Sequence, residues 1–380
     1  MEDTSRIKVF LRNNTQYLEQ LRKTKKYWFI FHFNRNIRKK YAQYAKQTDL
    51  AEKCALSAEV INLFQESVLW RIMIWVYCLW EDIRVFFRQL GKRQTINNSQ
   101  KKRKDYYSVA VILKNEAKYI REYVLFYQST GAERIYIYDN DSDDNLLEAI
   151  GPFLKTGFVV YRKWPGRRVQ TAAYRDVIRR TKNKTKWLAL VDSDEFLFSH
   201  IGRMPEQLRG YEDYPGIGVN WVVFGPNGHQ NSPDGLVMDN YTTALMDYDA
   251  MINCHIKSIV QPRQVYCVYH THFCIYKNGQ YAVDTLKKPI DNYNAYKERS
   301  GRAFTHKNYR DVFRINHYRT RSLEDLKNKC ARGTADGAPD KEYQKELSPF
   351  EAPLVEDKSI MPYADIVRER MKELKELCYE

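Results

Sequence analysis

The sequence lacks the features that mark exported, disulfide-bonded or membrane-spanning chains. Its seven cysteines are odd in number and include no C-x-x-C pair, which argues against a disulfide framework and a zinc knuckle. The N-terminus, MEDTSRIKVF, has no uninterrupted apolar core of the kind a signal peptide needs. The longest apolar run, residues 68–80, contains Arg71 and falls short of the roughly 20 residues that span a bilayer. These absences predict a reducing, cytoplasmic location.

Proline and glycine are absent before Gly91, and basic charge is concentrated in the same part of the chain. Residues 1–104 contain 22 Lys and Arg but only 9 Asp and Glu, so they carry most of the net charge of +15. Their hydrophobic pattern predicts two or three helices, at 5–25, 27–46 and 49–90 with breaks. The polar, turn-rich segment 91–104 is predicted to be a linker. A basic helical appendage therefore precedes a nearly neutral body.

Two stretches of this appendage, 25–41 and 70–88, mix aromatic with basic side chains. Such mixtures are typical of interfacial helices, which would place the protein peripherally on an anionic membrane, at the inner face of the plasma membrane. The alternative is that the aromatic side chains form the core of the appendage or dock on the rest of the chain. The sequence leaves both interpretations open, and we do not expect nucleic acid as a partner.

Alternating strand and helix patterns begin at residue 106. An apolar run, YYSVAVILKN, is followed by a helical pattern, EAKYIREYVLFYQSTGA, and by a second β-rich run, RIYIYDNDSDD. This order forms a βαβ unit, which implies a parallel sheet whose ligands bind at the carboxyl ends of the strands. We therefore expect an α/β fold. Further predicted elements are a helix at 145–155, a strand at 158–161, a helix at 169–182, a strand at 186–191 and a C-terminal helix at 355–379.

The last of these strands, KWLALV, runs directly into Asp192-Ser193-Asp194. Mg²⁺ and Mn²⁺ take oxygen ligands and retain waters, so one or two carboxylates plus substrate phosphates complete their shell. Such a metal would neutralise the charge that grows on a departing nucleotide diphosphate. D-x-D alone is a common string and also fits a solvated acidic turn. The acidic DNDSDD sequence at the preceding strand end favours the metal site.

Four motifs in order resemble the glycosyltransferase family 2-like and family 92 (formerly DUF23) enzymes. They are VAVILKNEAKYIREYVLFYQSTGAERIYIYDNDSDD, WLALVDSDEFLF, WVVFGPNGHQNSPDGL and INHYRTRSLEDLKNKCARG, and together they cover about 106–333. The resemblance implies a GT-A (Rossmann-like) fold, with a mixed, mainly parallel sheet flanked by helices. It also implies a nucleotide-sugar donor, usually a UDP-sugar, with Mn²⁺ or Mg²⁺ and inversion at the anomeric carbon. The expected division is a basic helical region with linker (1–104), a GT-A catalytic domain (105–335) and a C-terminal extension with a helix (336–380).

The resemblance also implies roles for individual residues. Asp192 and Asp194 match the motif for metal and donor diphosphate, and His317 in NHYRT matches a late His that completes the metal shell. Family 2 enzymes often have two Asp at the end of the second strand, where Asn140 replaces one here, which leaves the choice of base open. The donor-binding residues implied at the first two strand ends are Lys114, Asn115, Glu116, Asp139 and Asn140.

The residue that would take the proton from an acceptor hydroxyl is not fixed by the sequence. Asp234 in the loop GPNGHQNSPDGL and Glu195 beside the D-x-D motif are the candidates, because inverting transfer needs a base. A Pro-Asp-Gly turn explains Asp234 equally well, and Asp284 and Asp291 are further candidates. Trp221 and Phe224 are predicted to stack on the acceptor sugar. The acceptor expected from the resemblance and the basic region is a glycan or lipid-linked saccharide in surface polysaccharide synthesis.

Basic and histidine side chains of the second half add further candidates. Arg and Lys complement phosphate charge, so the diphosphate could be held by Lys257, Arg263, Arg319 and Arg332. His270 and His272 share one face of a strand without an evident third ligand, and we expect them to pack rather than bind metal.

Two other functions fit part of the pattern. A nucleotidyltransferase also uses a parallel sheet, a metal and paired carboxylates, but it needs a Gly-rich loop where this chain has KNEAKY. A non-catalytic protein that binds nucleic acid or membrane would account for the basic region. It would leave the acidic strand ends unexplained.

Overall fold

One mixed sheet of nine strands organises the part of the chain that the structure describes. The computed structural model describes residues 18–19, 22–23, 34–91, 94–96, 105–290, 303–305, 307–332 and 342–376. The strands of this sheet are β1 (Thr95–Ile96), β2 (Asp105–Leu113), β3 (Arg134–Asp139), β4 (Val159–Lys163), β5 (Thr185–Leu190), β6 (Glu195–Ser199), β7 (Gly216–Val223), β9 (Ile256–Val260) and β12 (Phe313–His317). Two small pairs complete the strands, β8 (Thr243–Leu245) with β13 (Leu354–Glu356) and β10 (Val265–Cys267) with β11 (Ile275–Tyr276).

Four parallel strands form one half of the sheet, as the sequence predicts. The spatial order is β1-β4-β3-β2-β5-β9-β7-β12-β6, and β4, β3, β2 and β5 are mutually parallel. The run VAVIL of β2 is buried along its whole length because helices cover both faces of the sheet. β9 is antiparallel to β5 and to β7, whereas β12 is parallel to β7 and antiparallel to β6. The predicted α/β class with a mixed, mainly parallel sheet is thereby confirmed.

Helices pack on both faces of the sheet and form two separate cores. On one face, α4 (Ala117–Ser129), α5 (Leu146–Lys155) and α11 (Met361–Glu376) cover the sheet, and on the other face α6 (Gln170–Thr181) and the end of α3 (Val68–Arg88) cover it. A further hydrophobic cluster, away from the sheet, joins α1 (Arg35–Lys46), α2 (Leu50–Glu66) and α3 to β10 and β11. The helices are α1 (Arg35–Lys46), α2 (Leu50–Glu66), α3 (Val68–Arg88), α4 (Ala117–Ser129), α5 (Leu146–Lys155), α6 (Gln170–Thr181), α7 (Met204–Leu208), α8 (Val237–Asn240), α9 (Leu323–Arg332), α10 (Tyr343–Leu347) and α11 (Met361–Glu376).

Polar side chains cap the N-terminal helices. Asn34 accepts hydrogen bonds from two backbone amides and begins α1 inside the predicted helix at 27–46, whereas Asp49 accepts from the amide of Glu52 and begins α2 at the predicted start of the helix at 49–90. Ser67 accepts from the amide of Trp70 and separates α2 from α3 within the predicted helix at 49–90. The predicted helix at 5–25 falls largely outside the described residues. Among the described helices, none combines the length and apolarity needed to cross a membrane.

The predicted linker and C-terminal extension both join the central sheet structure. Within the linker, Thr95–Ile96 pairs antiparallel with β4 as an edge strand, which corrects the prediction that 91–104 is only a linker. The C-terminal helix begins at Met361 rather than at residue 355, because Leu354–Glu356 forms a strand with β8. α11 packs on α4 and contributes to the core of that face.

A buried carboxyl group holds the loop that carries Asp234. Glu122 of α4 accepts hydrogen bonds from the amides of Val237 (2.8 Å) and Met238 (3.1 Å) at the start of α8. Burial raises the pKa of Glu122 to about 7, although the two amide hydrogen bonds oppose this effect. The carboxylate is therefore costly to form at this position. Glu122 fixes the start of α8, where the loop 225–236 ends, against α4.

Glu122 makes stability depend on pH, and the Glu122→Gln variant isolates that dependence. Because the folded-state pKa is raised, this group favours folding most at low pH and loses that contribution as pH rises from about 4.5 to about 7. Between pH 5 and pH 8 the wild-type protein should lose about 2–3 kcal/mol of unfolding free energy relative to Glu122→Gln. Urea unfolding of both proteins at the two pH values measures this difference. A constant difference between the two proteins would contradict the assignment.

Candidate active site

Strand pairing brings the D-x-D motif and His317 to one edge of the sheet. β5 ends at Leu190, two residues before Asp192, and β6 begins immediately after Asp194. β12 lies antiparallel to β6 with His317 opposite Glu195, so His317 is carried next to Asp194. The amide of Tyr318 also donates to the carbonyl of Asp194, at 2.9 Å. The site is therefore built by the carboxyl ends of the strands, as the parallel topology requires.

Asp192 is engaged by three side chains from two neighbouring elements. Lys257 of β9 places its Nζ atom 2.7 Å from Asp192 Oδ2. Gln170 and Tyr174 of α6 donate to Asp192 Oδ1 at 2.8 and 3.2 Å. Burial alone would lower the pKa of Lys257, but Asp192 and Glu195 more than offset it and raise that pKa. Both oxygens of Asp192 are thus already occupied. Lys257 lies at the site, but its buried Nζ faces Asp192 and Glu195, which corrects the prediction that it holds the diphosphate.

Glu195 is buried behind the D-x-D turn and holds the backbone of Asp192. Its side chain is fully buried, Oε2 accepts from the amide of Asp192 at 2.9 Å, and Oε1 lies 3.7 Å from Lys257 Nζ. Burial raises the pKa of Glu195, against the opposing effect of Lys257. A carboxyl group enclosed in this way does not face an acceptor. The structure therefore corrects the candidacy of Glu195 as base and gives it the role of positioning Asp192.

Asp194 is the more enclosed of the two carboxylates of the motif and contacts Lys329 and His317. Lys329 of α9 donates to its Oδ2 and also to the carbonyl of Arg319. His317 Nε2 lies 3.6 Å from Asp194 Oδ1. Burial alone would raise the pKa of Asp194, but Lys329 and His317 outweigh it and hold that pKa well below its usual range. Asp194 is consequently ionised and paired with Lys329.

His317 is suited to bind a metal as a neutral imidazole. Burial lowers its pKa to about 4, although Asp194 opposes the shift, so its contact with Asp194 is not an ion pair at neutral pH. Its buried Nδ1 atom has no hydrogen-bond partner among the described residues. Asp194 and His317 thus offer one oxygen and one nitrogen ligand. Within the described ranges, no group of three His, Cys, Asp or Glu side chains could hold a metal by itself, so phosphate and water would complete the shell.

Glu116 is neutralised by two arginines rather than facing a nucleotide. Its Oε2 accepts from Arg321 at 2.8 Å and its Oε1 from Arg332 at 3.1 Å. Arg332 also donates to the carbonyl of Lys114, and Arg321 donates to the carbonyl of Ser193 at 3.2 Å. Glu116 therefore orients two guanidinium groups beside the D-x-D turn. This corrects its predicted direct contact with the donor.

The other predicted donor residues at the ends of β2 and β3 hold the two loops together. Asn115 adopts a φ of 54° and its Oδ1 accepts from the amide of Asp143 at 3.0 Å. Asp139 accepts from Tyr161 OH at 2.6 Å and from the amide of Ser142 at 2.8 Å. Asn140 donates through Nδ2 to the carbonyls of residues 164 and 166. These residues lie at the predicted edge of the sheet, where their hydrogen bonds hold the backbone of the two loops.

The predicted acceptor platforms are core residues in this structure. Trp221 is only 4% exposed and packs between His255 and His317, at ring-centroid distances of 4.9 and 4.4 Å. Phe224 is fully buried and packs on Tyr318 at 5.0 Å. Neither ring presents a face to a sugar, so both predictions of a stacking platform are wrong for this conformation. Every residue of β7 is buried, so Trp221 is enclosed whichever face of the strand it occupies, and Phe224 directly after the strand is enclosed as well.

Two predicted phosphate contacts point elsewhere. Arg263 is exposed and donates to the carbonyl of Lys182, which precedes β5 at the opposite edge of the sheet. Arg319 forms a bidentate pair with Glu346 of α10, at 2.7 and 2.8 Å, so its guanidinium is held by the C-terminal extension. Arg263 is therefore excluded from this site by distance along the sheet. Arg319 borders the site without a free guanidinium face.

The remaining acidic and histidine candidates that the structure describes do not face the D-x-D turn. Asp284 accepts amide hydrogen bonds within its own turn and lies near the start of β7, away from the carboxyl ends of the parallel strands. Asp291 lies outside the described residues. His272 is buried and its Nδ1 lies 2.8 Å from the carbonyl of Ile256, while His270 stacks on Phe273. Both histidines pack, as expected.

A cleft of about 500 Å³ opens beside Asp194, within the usual size range of small-ligand pockets. It is bordered by α4, by α9 and by the segment that follows β12. Ser232, two residues before Asp234, accepts from Lys118 and contacts Tyr119 OH at 2.6 Å at its rim, so the Asp234 loop approaches the cleft. Charged side chains of the lining are Lys118, Arg319, Arg321, Lys329 and Arg332 with Glu116, Asp194 and Asp325. Arg319 is paired with Glu346 outside the lining, so four other cations face three anions, which suits an anionic ligand.

Sequence reasoning missed several of these side chains. Gln170 and Tyr174 are spaced i, i+4 on one face of α6, and this spacing was the signal that one helix face meets the D-x-D turn. Lys329 and Arg332 are spaced i, i+3 on α9, but only Arg332 was predicted. Arg321 offered no sequence signal beyond its charge.

Comparisons with known proteins identify the family. The model of glycosyltransferase family 92 matches residues 106–335. A glycosyltransferase family 92 protein of Oryza sativa subsp. japonica is 29% identical over 169 residues, which are 43% of this chain and 29% of that protein. One of Ricinus communis is 27% identical over 242 residues, 61% of this chain and 41% of that protein. The chain thus spans less than half the length of these relatives. It belongs to glycosyltransferase family 92, which confirms the resemblance.

Solved structures give only partial matches. Staphylococcus aureus TarS residues 1–349, crystallised with UDP-GlcNAc, is 15% identical, with a TM-score of 0.27 over 41% of this chain and 45% of that chain. A mycobacterial protein is 12% identical, with a TM-score of 0.30 over 66% of this chain and 76% of that chain. Likenesses of this extent carry no argument about the site.

The ion cluster under the D-x-D turn predicts a specific stability defect. Lys257→Met leaves two carboxylates without their shared cation, so it should cost about 3 kcal/mol, near the lower end for buried pairs because Asp192 is partly exposed. Adding Glu195→Gln should recover part of the loss. Urea unfolding measures both changes.

Lys186→Met is the matched control for this prediction. Lys186 pairs with Glu212 at 3.5 Å on the surface, and its loss should change the unfolding free energy by under about 1 kcal/mol. An equal effect of the two single variants, or no recovery in the double variant, would sink the assignment.

Proposed function

We propose that this member of glycosyltransferase family 92 transfers a sugar, with inversion, from a nucleotide-sugar donor to a saccharide acceptor. The observation that carries the proposal is the cleft that Arg321, Lys329 and Arg332 line together with the anionic Asp194. A diphosphate leaving group needs such cations, because negative charge accumulates on it as the bond to the sugar breaks. The donor is proposed to be a UDP-sugar. The acceptor is proposed to be a glycan or lipid-linked saccharide in surface polysaccharide synthesis.

The second component of the proposal is a divalent metal, Mn²⁺ or Mg²⁺. Asp194 and His317 would hold it, and Mn²⁺ suits this pair better because imidazole is a softer ligand than Mg²⁺ prefers. When bound, such an ion neutralises the diphosphate charge. Asp192 would take part through Lys257 and α6, which fix the turn, since both of its oxygens are engaged. Lys329 would then exchange its contact with Asp194 for one with the donor phosphates.

The protein's own side chains would orient the reaction. Glu116 holds Arg321 and Arg332 in place, so these guanidinium groups are organised before the donor arrives. We assign the base to Asp234, which is exposed on a loop that Glu122 and Tyr119 hold at the cleft rim. It would take the proton of the acceptor hydroxyl as that oxygen attacks the sugar. A nucleotidyltransferase remains a second chemistry in principle, but the loop after β2 lacks the glycines it needs.

Donor binding should depend on the metal and on Asp194. UDP should bind with Mn²⁺ at least about tenfold more tightly than without it, because a divalent ion held by Asp194 and His317 would neutralise charge on the diphosphate. Asp194→Asn should abolish this difference. Calorimetric titration with UDP, with and without Mn²⁺, measures both effects. The same titration with GDP and CMP tests which nucleobase the protein prefers.

The matched control is Asp213→Asn, at an exposed position before β7 and away from the D-x-D turn. This variant should retain metal-dependent binding of UDP. Metal-independent binding in the wild-type protein would refute the proposed cofactor, and absence of binding by any nucleotide would refute the proposed function.

Asp234→Asn separates the chemical role of this residue from a turn role. A base contributes about 10²–10⁴-fold to the rate, so kcat should fall by at least about a hundredfold while UDP affinity stays unchanged. Transfer from a UDP-sugar to saccharide acceptors, measured by UDP release, gives kcat. An unchanged kcat with Asp234→Asn would show that Asp234 serves only the Pro-Asp-Gly turn.

A further inference from the structure

Helix α3 exposes apolar side chains and buries its acidic ones, the reverse of an ordinary surface helix. Among the described residues, eighteen large hydrophobic side chains are exposed, and twelve of them lie between Val68 and Leu90. We call these residues the outer face of α3, except for Tyr77, which lies at the border of the docking face and packs on Tyr269. Apart from Arg88, every exposed side chain in this range is apolar or aromatic. Isolated exposed apolar residues are ordinary, but a continuous patch of this kind marks an interaction surface.

The acidic side chains of α3 point inward and dock it on the central domain. Glu81 and Asp82 both pair with Arg175 of α6, the latter at 2.8 Å. Cys78 contacts Cys267, and Val85 joins the core beneath α6. The docking face of α3 is therefore already occupied by its own domain. The outer face is a second surface, with no role in holding the helix to the sheet.

Basic side chains of the central domain border the outer face. The cleft beside Trp75 and Leu79 is also lined by Arg179 and Lys182 at the end of α6. At the other end of α3, Gln89 donates to the carbonyl of Pro165, two residues before the exposed Arg167 and Arg168. Together with Arg88, these residues form a basic rim. Asp82 is the one acid of that cleft lining, and its carboxylate is paired with Arg175.

We propose that the outer face of α3 and its basic rim form an interfacial anchor that lies flat on an anionic lipid membrane. Apolar and aromatic side chains would enter the boundary between headgroups and acyl chains, while the rim meets lipid phosphates. Charge complementarity favours a lipid surface as the occupant. A nucleic acid would not take up the apolar face, and a second copy of the chain would bring two basic rims together.

The anchor predicts binding of the full chain to vesicles of phosphatidylcholine with 30% phosphatidylglycerol. The Trp80→Gln/Phe87→Gln variant should bind them about tenfold or more weakly, because each large apolar side chain contributes at least that factor when it leaves water. Exposed fractions of 58% and 68% make these residues safe to change without loss of folding. The matched control is Ile201→Gln/Met246→Gln, with exposed fractions of 60% and 53% elsewhere on the surface, which should bind as the wild type does.

The basic rim is tested by Arg88→Gln/Arg167→Gln/Lys182→Gln. This variant should lose about tenfold or more in affinity for anionic vesicles, and the difference should shrink at high salt. The control is Lys155→Gln/Lys358→Gln/Lys372→Gln, three exposed lysines on or next to α5 and α11, which cover the opposite face of the sheet. Co-sedimentation with vesicles measures all variants.

Other results would overturn the anchor. One is a wild-type chain that does not sediment with anionic vesicles, as expected if another part of the chain covers the outer face. Another is a dimer in ultracentrifugation that Trp80→Gln/Phe87→Gln dissociates, without any effect on vesicles. A third is binding to duplex DNA that the rim variant loses while vesicle binding stays. UDP titration of each variant is a separate readout, so failure of the anchor and failure of the proposed donor site are distinguishable.

Discussion

Burial of acidic groups at the carboxyl end of β5 is the constraint on which the site depends. Glu195 is fully buried and Asp194 nearly so, and a carboxylate away from water is costly unless a cation or hydrogen-bond donor faces it. Lys257 from β9 and Lys329 from α9 supply those cations. Each comes from a different part of the chain. The turn therefore keeps its shape only when the antiparallel second half of the sheet has formed beside the parallel first half.

A second buried carboxylate, Glu116, is also paired with cations, and these make the cleft positively charged. Glu116 is paired with Arg321 and Arg332, which leaves guanidinium groups at the cleft in excess of carboxylates. An arginine held by a buried carboxylate keeps its position without a ligand, so less freedom is lost when phosphate binds. The acidic residues of the site therefore neutralise and position basic side chains of the same chain. The surface they organise is cationic, and an anionic donor fits it.

The sequence predicted those parts of the molecule that depend on local periodicity. The βαβ units, the sheet edge and the D-x-D turn all follow from residues near one another in the chain, as do the bounds of α4 to α6. It could not predict Lys329 or Arg321, because their role arises only when α9 and the segment after β12 fold back onto residue 193. Trp221 was misread for a similar reason. Aromatic composition indicates a sugar platform or a core equally well, and only the pairing of β7 with β12 decides between them.

One helix connects the D-x-D turn with the basic outer region. α6 begins at Gln170, which donates to Asp192, and packs along one side against α3 through Arg175. Its last exposed basic residues lie on the rim next to the outer face of α3. α6 thus contacts the D-x-D turn at its first residue and reaches the basic rim at its end, so an anchored α3 would hold the turn at a fixed position relative to the lipid surface.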